Sequence, residues 1–248
     1  MSVKQSAEHD PLATPTATAG GAGKLVWDLP VRVIHWSLLL CVVGAWLTRE
    51  IEGDWFAWHT RFGYTVLLLV ATRLLWGFVG TRHARFSSFV RGPAAILRYL
   101  RSDSTSAPSA PVGHNPLGAL MVLALLGLLL IQAITGLFAN DQIMETGPLF
   151  GYVSGTTSDA LTTVHKQVFD IIVAAVFIHV AAALFYLWVK HDNLILPMLT
   201  GRKSADRVPA GEEIRSSRTA VAVAILVALG ALLYWVIRAA PEPMLFSY

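Results

Sequence analysis

Five long apolar stretches constrain this chain more than any other feature of its sequence. They cover approximately residues 31–48, 59–79, 117–138, 165–190 and 219–238. Each is close to the roughly 20 residues that cross the hydrocarbon core of a bilayer as a helix. All faces of these stretches are apolar, whereas the strands of a membrane barrel alternate between apolar and polar residues. The sequence therefore predicts an all-α integral membrane helical bundle.

Lysine and arginine are distributed unevenly among the polar segments. The loop after the second stretch and the loop after the fourth are basic, with Arg82, Arg85, Arg91, Arg98 and Arg101 in the first and Arg202, Lys203, Arg207, Arg215 and Arg218 in the second. The other two loops are mainly acidic. Because basic loops stay in the cytoplasm, we expect a cytoplasmic N-terminus and a periplasmic C-terminus. The formal charge of +3 follows this topology, so we expect no nucleic-acid partner.

The chain divides into four parts on composition. Residues 1–24 are rich in Ala, Thr, Pro and Gly, and they lack the apolar segment of a secretory signal, so we expect a disordered cytoplasmic tail. Residues 25–203 hold four of the apolar stretches and form the predicted core domain. Residues 204–218 are a polar cytoplasmic linker, and 219–248 contain the fifth stretch and a short periplasmic tail.

Four of the eight histidines lie in apolar stretches, where ionisable side chains are costly and by default functional. His35 lies near the inner end of the first stretch, His59 opens the second at the outer side, and His165 opens the fourth at the outer side. His179 follows His165 by nearly four turns, so the two rings share a face and lie about 21 Å apart along the axis. His35 lies about 20 Å below the outer end of its helix. These depths predict an inner pair, His35 with His179, and an outer pair, His59 with His165.

Two imidazoles at one depth on facing helices suit the axial positions of haem iron. Zinc fits less well, since it takes three or four ligands in a tetrahedron and each level offers two histidines without a nearby thiolate or carboxylate. Gly63 lies four residues after His59 on the same helix face and would let a bulky ring approach. Arg32 beside the inner pair, and Arg61 and Lys166 beside the outer pair, are candidate partners for haem propionates.

Several segments resemble one known family. They are Trp27-Asp28-Leu29-Pro30-Val31-Arg32 leading into His35-Trp36, Gly113-His114-Asn115-Pro116-Leu117 before the third stretch, and Thr200-Gly201-Arg202-Lys203 after the fourth. Together with the histidine pattern, they resemble the bacterial cytochrome b561 and nickel-iron hydrogenase b-type cytochrome superfamily over residues 25–203. Simple members of that family end after four helices, whereas this chain adds a fifth apolar stretch.

The resemblance implies a four-helix core with two haem b groups in the bacterial inner membrane. It implies that His59 and His165 hold the outer haem and that His35 and His179 hold the inner one. Electrons would pass between membrane quinone and a periplasmic redox protein, which is a c-type cytochrome, a dehydrogenase or a hydrogenase subunit. By analogy with family members that bind quinone near the cytoplasmic haem, His114 and Asn115 are candidate quinone contacts. Asn115 as a helix N-cap and Pro116 in the first turn also explain that segment structurally.

Two other functions stay open at this point. The chain could act alone as an oxidoreductase on a small outer substrate such as superoxide, which Arg61 and Lys166 would attract. From a different class, the histidines could form the relay of a proton channel or transporter without haem. The sequence does not decide whether the chain is an enzyme by itself.

Overall fold

The computed structural model describes residues 23–51, 55–101 and 112–241. The predicted disordered tail falls almost entirely outside these ranges, as does most of the predicted periplasmic tail. Eight helices and two short strands make up most of the described chain: β1 (Lys24–Leu25), α1 (Leu29–Glu50), α2 (Phe56–Val79), α3 (Phe86–Phe89), α4 (Pro93–Arg101), α5 (Pro116–Leu137), α6 (Gly155–Trp188), α7 (Ile195–Thr200), β2 (Arg202–Lys203) and α8 (Thr219–Arg238).

Five of these helices, α1, α2, α5, α6 and α8, are long and apolar enough to cross a membrane. This confirms the predicted all-α membrane bundle. Two of the five begin at an Asp or Asn cap that is followed by proline in the first turn. Asp28 accepts a hydrogen bond from the Val31 amide before α1, and Asn115 accepts one from the Gly118 amide before α5. Each cap satisfies an amide that the first turn leaves free.

The helix α6 differs from its prediction. Expecting it to open at His165 was wrong, because it begins at Gly155, ten residues earlier, after Ser154 accepts a hydrogen bond from the Thr157 amide. Its 34 residues span about 51 Å, against a hydrocarbon core of about 30 Å. The first ten residues of α6 include Thr, Ser and Asp. Their low hydropathy does not distinguish them from a loop, so the apolar stretch indicates only the later part of the helix.

The bundle packs around α2, which contacts α1, α5 and α8, while α5 also packs against α6. A buried apolar cluster lies in the middle of the bundle, including Cys41, Val66, Val70, Leu129 and Ile172. Val66 and Val70 lie on α2 between His59 and the inner end of that helix, and Ile172 lies on α6 between His165 and His179. The cluster therefore separates the two histidine levels with a layer of apolar side chains.

A second buried cluster closes the end of the bundle that carries the basic loops, and we call it the inner cap. It consists of Val26, Trp27, Val31, Trp76, Ala84, Val208 and Ala222. The strands β1 and β2 pair antiparallel beside it. Gly201, at φ +82°, turns its carbonyl to accept hydrogen bonds from the Val26 and Trp27 amides at 2.9 and 3.1 Å. The predicted linker contributes Val208 and Ile214 as buried residues, so it is a packed part of this cap.

Candidate functional site

His59 on α2 and His165 on α6 face each other near the outer end of the bundle. Their ring centroids are 6.3 Å apart. The Nδ1 atom of His59 lies 2.9 Å from the Ala45 carbonyl, and that of His165 lies 2.8 Å from the Gln132 carbonyl. A carbonyl only accepts, so each Nδ1 carries a proton and each Nε2 is the ring nitrogen left to bind a metal. Both rings thus present the nitrogen that binds a metal.

The surroundings of His165 show how closely α5 approaches its ring. A Cβ added to Gly136 would lie 2.8 Å from the His165 Cε1 atom, so glycine is needed for this approach. The Nε2 atoms of Gln132 and His165 are 3.1 Å apart, so the side-chain amide donates to the free lone pair of the ring. Gly136, Gln132 and the Ala45 carbonyl were not identified as site residues from the sequence.

His35 on α1 and His179 on α6 form the inner pair, with ring centroids 6.1 Å apart and ring planes at 57°. Their pairing is the one predicted from depth. The Nδ1 atom of His35 is buried and has no hydrogen-bond partner within the described ranges. Among the described residues, His35 therefore lacks the carbonyl contact that orients each outer ring.

Both separations fit two imidazoles bound to one metal ion from opposite sides. With metal–nitrogen bonds of about 2 Å, the centroids of two such rings lie about 6 Å apart. A Cβ added to Gly63 would meet nothing within 4 Å, so there is open space on the face that carries His59. Across the described residues, no three His, Cys, Asp or Glu side chains converge to hold a metal. This donor set suits haem iron, whose other ligands come from the porphyrin.

The three predicted propionate partners have different surroundings. Arg61 and Lys166 are exposed, and the Arg61 guanidinium lies over the Trp58 ring, 4.9 Å from its centroid. Arg32 donates from Nη1 to the Leu199 carbonyl at 2.5 Å. Its Nε atom is buried and unpartnered within the described chain. Arg32 therefore keeps a buried donor free, whereas Arg61 and Lys166 are exposed.

His114 packs against Trp27 of the inner cap. The centroid of the His114 ring is 4.7 Å from that of Trp27 and 4.6 Å from that of Phe89. Burial, together with the nearby positive charges of Arg73 and Lys203, lowers the pKa of His114 to about 3. The ring is therefore neutral at pH 7. Its Nδ1 atom is buried, and the described residues offer it no hydrogen-bond partner.

Asn115 uses both ends of its amide. Its Oδ1 accepts from the Gly118 amide at 2.7 Å, and its Nδ2 donates to the Tyr186 hydroxyl at 2.8 Å. The Tyr99 and Tyr186 hydroxyls are also 2.8 Å apart. The structural explanation for Asn115, an N-cap, is thus met, and the amide also ties α5 to α6 at the inner end.

These features define a class: a multi-pass helical membrane protein with two levels of paired histidines that suit haem iron. The chain belongs to the prokaryotic cytochrome b561 family, whose sequence profile matches residues 26–201. This confirms the resemblance noted from the sequence. Membership implies haem b and electron transfer within the membrane.

Curated relatives agree with this family. The chain is 28% identical over 214 residues to the probable Ni/Fe-hydrogenase B-type cytochrome subunit of Rhodobacter capsulatus. The alignment covers 72% of this chain and 80% of the relative. It is 25% identical over 213 residues to the probable Ni/Fe-hydrogenase 1 B-type cytochrome subunit of Escherichia coli K12, with 72% and 90% covered. It is also 27% identical over 210 residues to the probable Ni/Fe-hydrogenase B-type cytochrome subunit of Azotobacter vinelandii, and this alignment covers 71% of this chain and 86% of the relative.

Proposed function

We propose that this chain passes electrons between a periplasmic redox protein and membrane quinone through two haem b groups. His59 and His165 would bind the outer haem, and His35 and His179 the inner one. The observation that carries the proposal is the matched separation of the two ring pairs, 6.3 Å and 6.1 Å. A single intramembrane histidine has many explanations, whereas two facing pairs at the spacing of axial ligands favour haem.

The haem, when bound, supplies reversible one-electron chemistry, and the protein supplies ligands, orientation and dielectric. The Ala45 and Gln132 carbonyls fix the tautomers of His59 and His165. Fixed tautomers leave Nε2 as the metal-binding nitrogen of each ring. The Gln132 amide, 3.1 Å from the His165 Nε2 atom, would have to turn away when that atom binds iron. The buried cluster around Val70 and Ile172 keeps water from the layer between the two levels.

We place the chain in the bacterial inner membrane, with its basic loops in the cytoplasm and its C-terminus in the periplasm. The uneven distribution of Lys and Arg supports this orientation. The relatives are described as probable Ni/Fe-hydrogenase cytochrome subunits, which makes a hydrogenase subunit one candidate for the periplasmic partner. A dehydrogenase or a c-type cytochrome would use the same outer haem.

For quinone we propose a position at the inner level, with His114 and Asn115 as contacts. The free Nδ1 atom of His114 offers a hydrogen bond to a quinone oxygen, and the Asn115 amide lies next to it in the chain. The variant H114F should raise the KM for quinol in a detergent-solubilised assay. The matched control is H191F, which changes an exposed histidine on the same side. Equal KM values for H114F and the unmodified protein would remove His114 from the quinone site.

Haem content is the direct test of the proposal. The purified protein, reduced with dithionite, should contain two haem b per chain. The variant H165A should contain one. A protein without haem would overturn the proposal in favour of a histidine relay. Fewer than two haems in the unmodified chain would show that only one of the two histidine pairs binds haem.

A further inference from the structure

Arg73 on α2 is the residue that the proposed function leaves unexplained. Only 5% of it is exposed, and within the described part of the chain its Nη1 atom has no hydrogen-bond partner. Arginine is almost never this deeply buried unless its charge is paired. A buried cation with a free donor is costly, so it indicates an anionic ligand or a nearby counter-charge.

The position of Arg73 along α2 places it at the inner level. It follows His59 by 14 residues, the spacing that also separates His165 from His179 on α6. Fourteen residues make nearly four turns, about 21 Å, so Arg73 lies on nearly the same face as His59. Because His59 and His165 share one depth, Arg73 lies at about the depth of His179.

The neighbours of Arg73 do not occupy its free donor. Asp28 is the buried carboxylate near it, but the Asp28 oxygens accept from the Val31 amide at 2.7 Å, from Trp76 Nε1 at 3.0 Å and from Thr81 Oγ1 at 2.5 Å. No Arg73–Asp28 contact is among the ion pairs of the described residues. The Phe86 ring lies against the guanidinium, with its centroid 5.4 Å from Cζ. Asp28 therefore offsets the charge of Arg73 from a distance, and Phe86 limits its movement.

We propose that Arg73 binds a propionate carboxylate of the inner haem through its free Nη1 group, an inference that rests on the proposed function. Arginine suits this task because its guanidinium matches a carboxylate with two parallel donors. A buried positive charge also favours the reduced haem, which carries one positive charge fewer at the iron. Arg73 would thus both hold the inner haem and raise its midpoint potential.

The test uses the H165A background, in which only the inner haem should remain. We compare R73Q, R73K and the control R85Q, which removes an exposed arginine of the same side. R73Q should lower the midpoint potential by about 59 mV or more, a tenfold change in a one-electron equilibrium. R73K should recover part of the shift, and R85Q should give none. The propionate bending band in the resonance Raman spectrum should move in R73Q and R73K alone.

The outcomes separate this inference from the proposed function. If the parent chain binds no haem, the proposed function fails first. If the inner haem binds and R73Q leaves both its potential and its propionate band unchanged, only the Arg73 assignment is overturned. Should R73Q not accumulate, R73K decides by the same two measurements. Failure of both variants to insert and accumulate would also overturn the assignment, because a residue that only binds a haem carboxylate is not needed for helix insertion.

Discussion

The outer and inner histidine pairs have nearly the same ring separation, 6.3 Å and 6.1 Å, but different supports. Each outer ring is oriented by a backbone carbonyl of a neighbouring helix. The inner ring of His35 has a buried Nδ1 atom without such a contact in the described chain. Backbone carbonyls therefore orient the outer rings, whereas the orientation of His35 depends on the side chains packed around it.

The cations near the two levels differ in the same way. Arg61 and Lys166 near the outer pair are exposed, whereas Arg73 at the inner level is buried. Salt and water screen exposed charges, so their effect on a nearby group is small. A buried charge acts through a medium of lower dielectric constant and has a larger effect. A charge buried at the inner level, such as that of Arg73, should therefore act more strongly on a bound cofactor than the exposed charges of Arg61 and Lys166.

The largest expected effect comes from removing one ligand of each pair. H165A should lose the outer haem completely and keep the inner one, and H179A should do the reverse. Haem content per chain and the number of waves in a redox titration measure this directly. Loss of both haems in either variant would show that the two levels are not independent, and the comparison between them would fail.

The next largest expected effect is a loss of folding stability when Asp28 is replaced. Asp28 and Asp141 each accept three hydrogen bonds, so the two residues can be compared. D28A should cost about 3 kcal/mol, because it leaves the Trp76, Thr81 and Val31 donors unsatisfied in the buried inner cap. D141A serves as the matched control, since Asp141 accepts three backbone amides in an exposed loop. Water can replace those bonds, so about 1 kcal/mol or less is expected.

Unfolding in mixed detergent micelles, followed by tryptophan fluorescence, compares these two variants. D28A should also release the inner haem at lower denaturant than the outer haem, because Asp28 lies in the inner cap. An equal loss of stability in D28A and D141A would contradict the view that side-chain packing supports the inner level.

The sequence predicted the histidine pairs because the rise of an α-helix is regular, so residue counts convert to depth. The same arithmetic would have placed Arg73 at the inner level, since it follows His59 by the spacing that separates His165 from His179. The carbonyls of Ala45 and Gln132 leave no trace in the sequence, because every residue has one. The beginning of α6 was missed because Ser154 caps a segment whose polarity resembles that of a loop.

A smaller effect is expected from adding a methyl group behind His165. G136A places a Cβ 2.8 Å from the His165 ring, and such overpacking costs about 1–3 kcal/mol. Outer haem should bind about tenfold more weakly, while the inner haem is unchanged. G127A is the control on the same helix, because its Cβ would meet nothing within 4 Å. The fraction of outer haem that each variant retains during dilution in detergent measures this difference. Equal retention in G136A and G127A would show that the close approach of α5 to His165 does not affect binding of the outer haem.

The smallest effect is a difference in midpoint potential between the two haems. A histidine that donates its Nδ1 proton to a carbonyl is a more basic ligand, which favours the oxidised iron and lowers the outer potential. The buried charge of Arg73 raises the inner potential. Both contributions act in the same direction, so the inner haem should be favoured by about tenfold or more, which is at least 59 mV for one electron.

Titrating H165A and H179A separately assigns each potential to one level. Electrons would then move downhill from the outer haem to the inner haem when no membrane potential is applied, and a membrane potential that is negative inside would oppose this step by about 2.3 kcal/mol per 100 mV for a full crossing. An outer potential equal to or above the inner one would mean that ligand basicity and buried charge do not govern these two sites. In that case the different supports of the two pairs would serve haem retention alone.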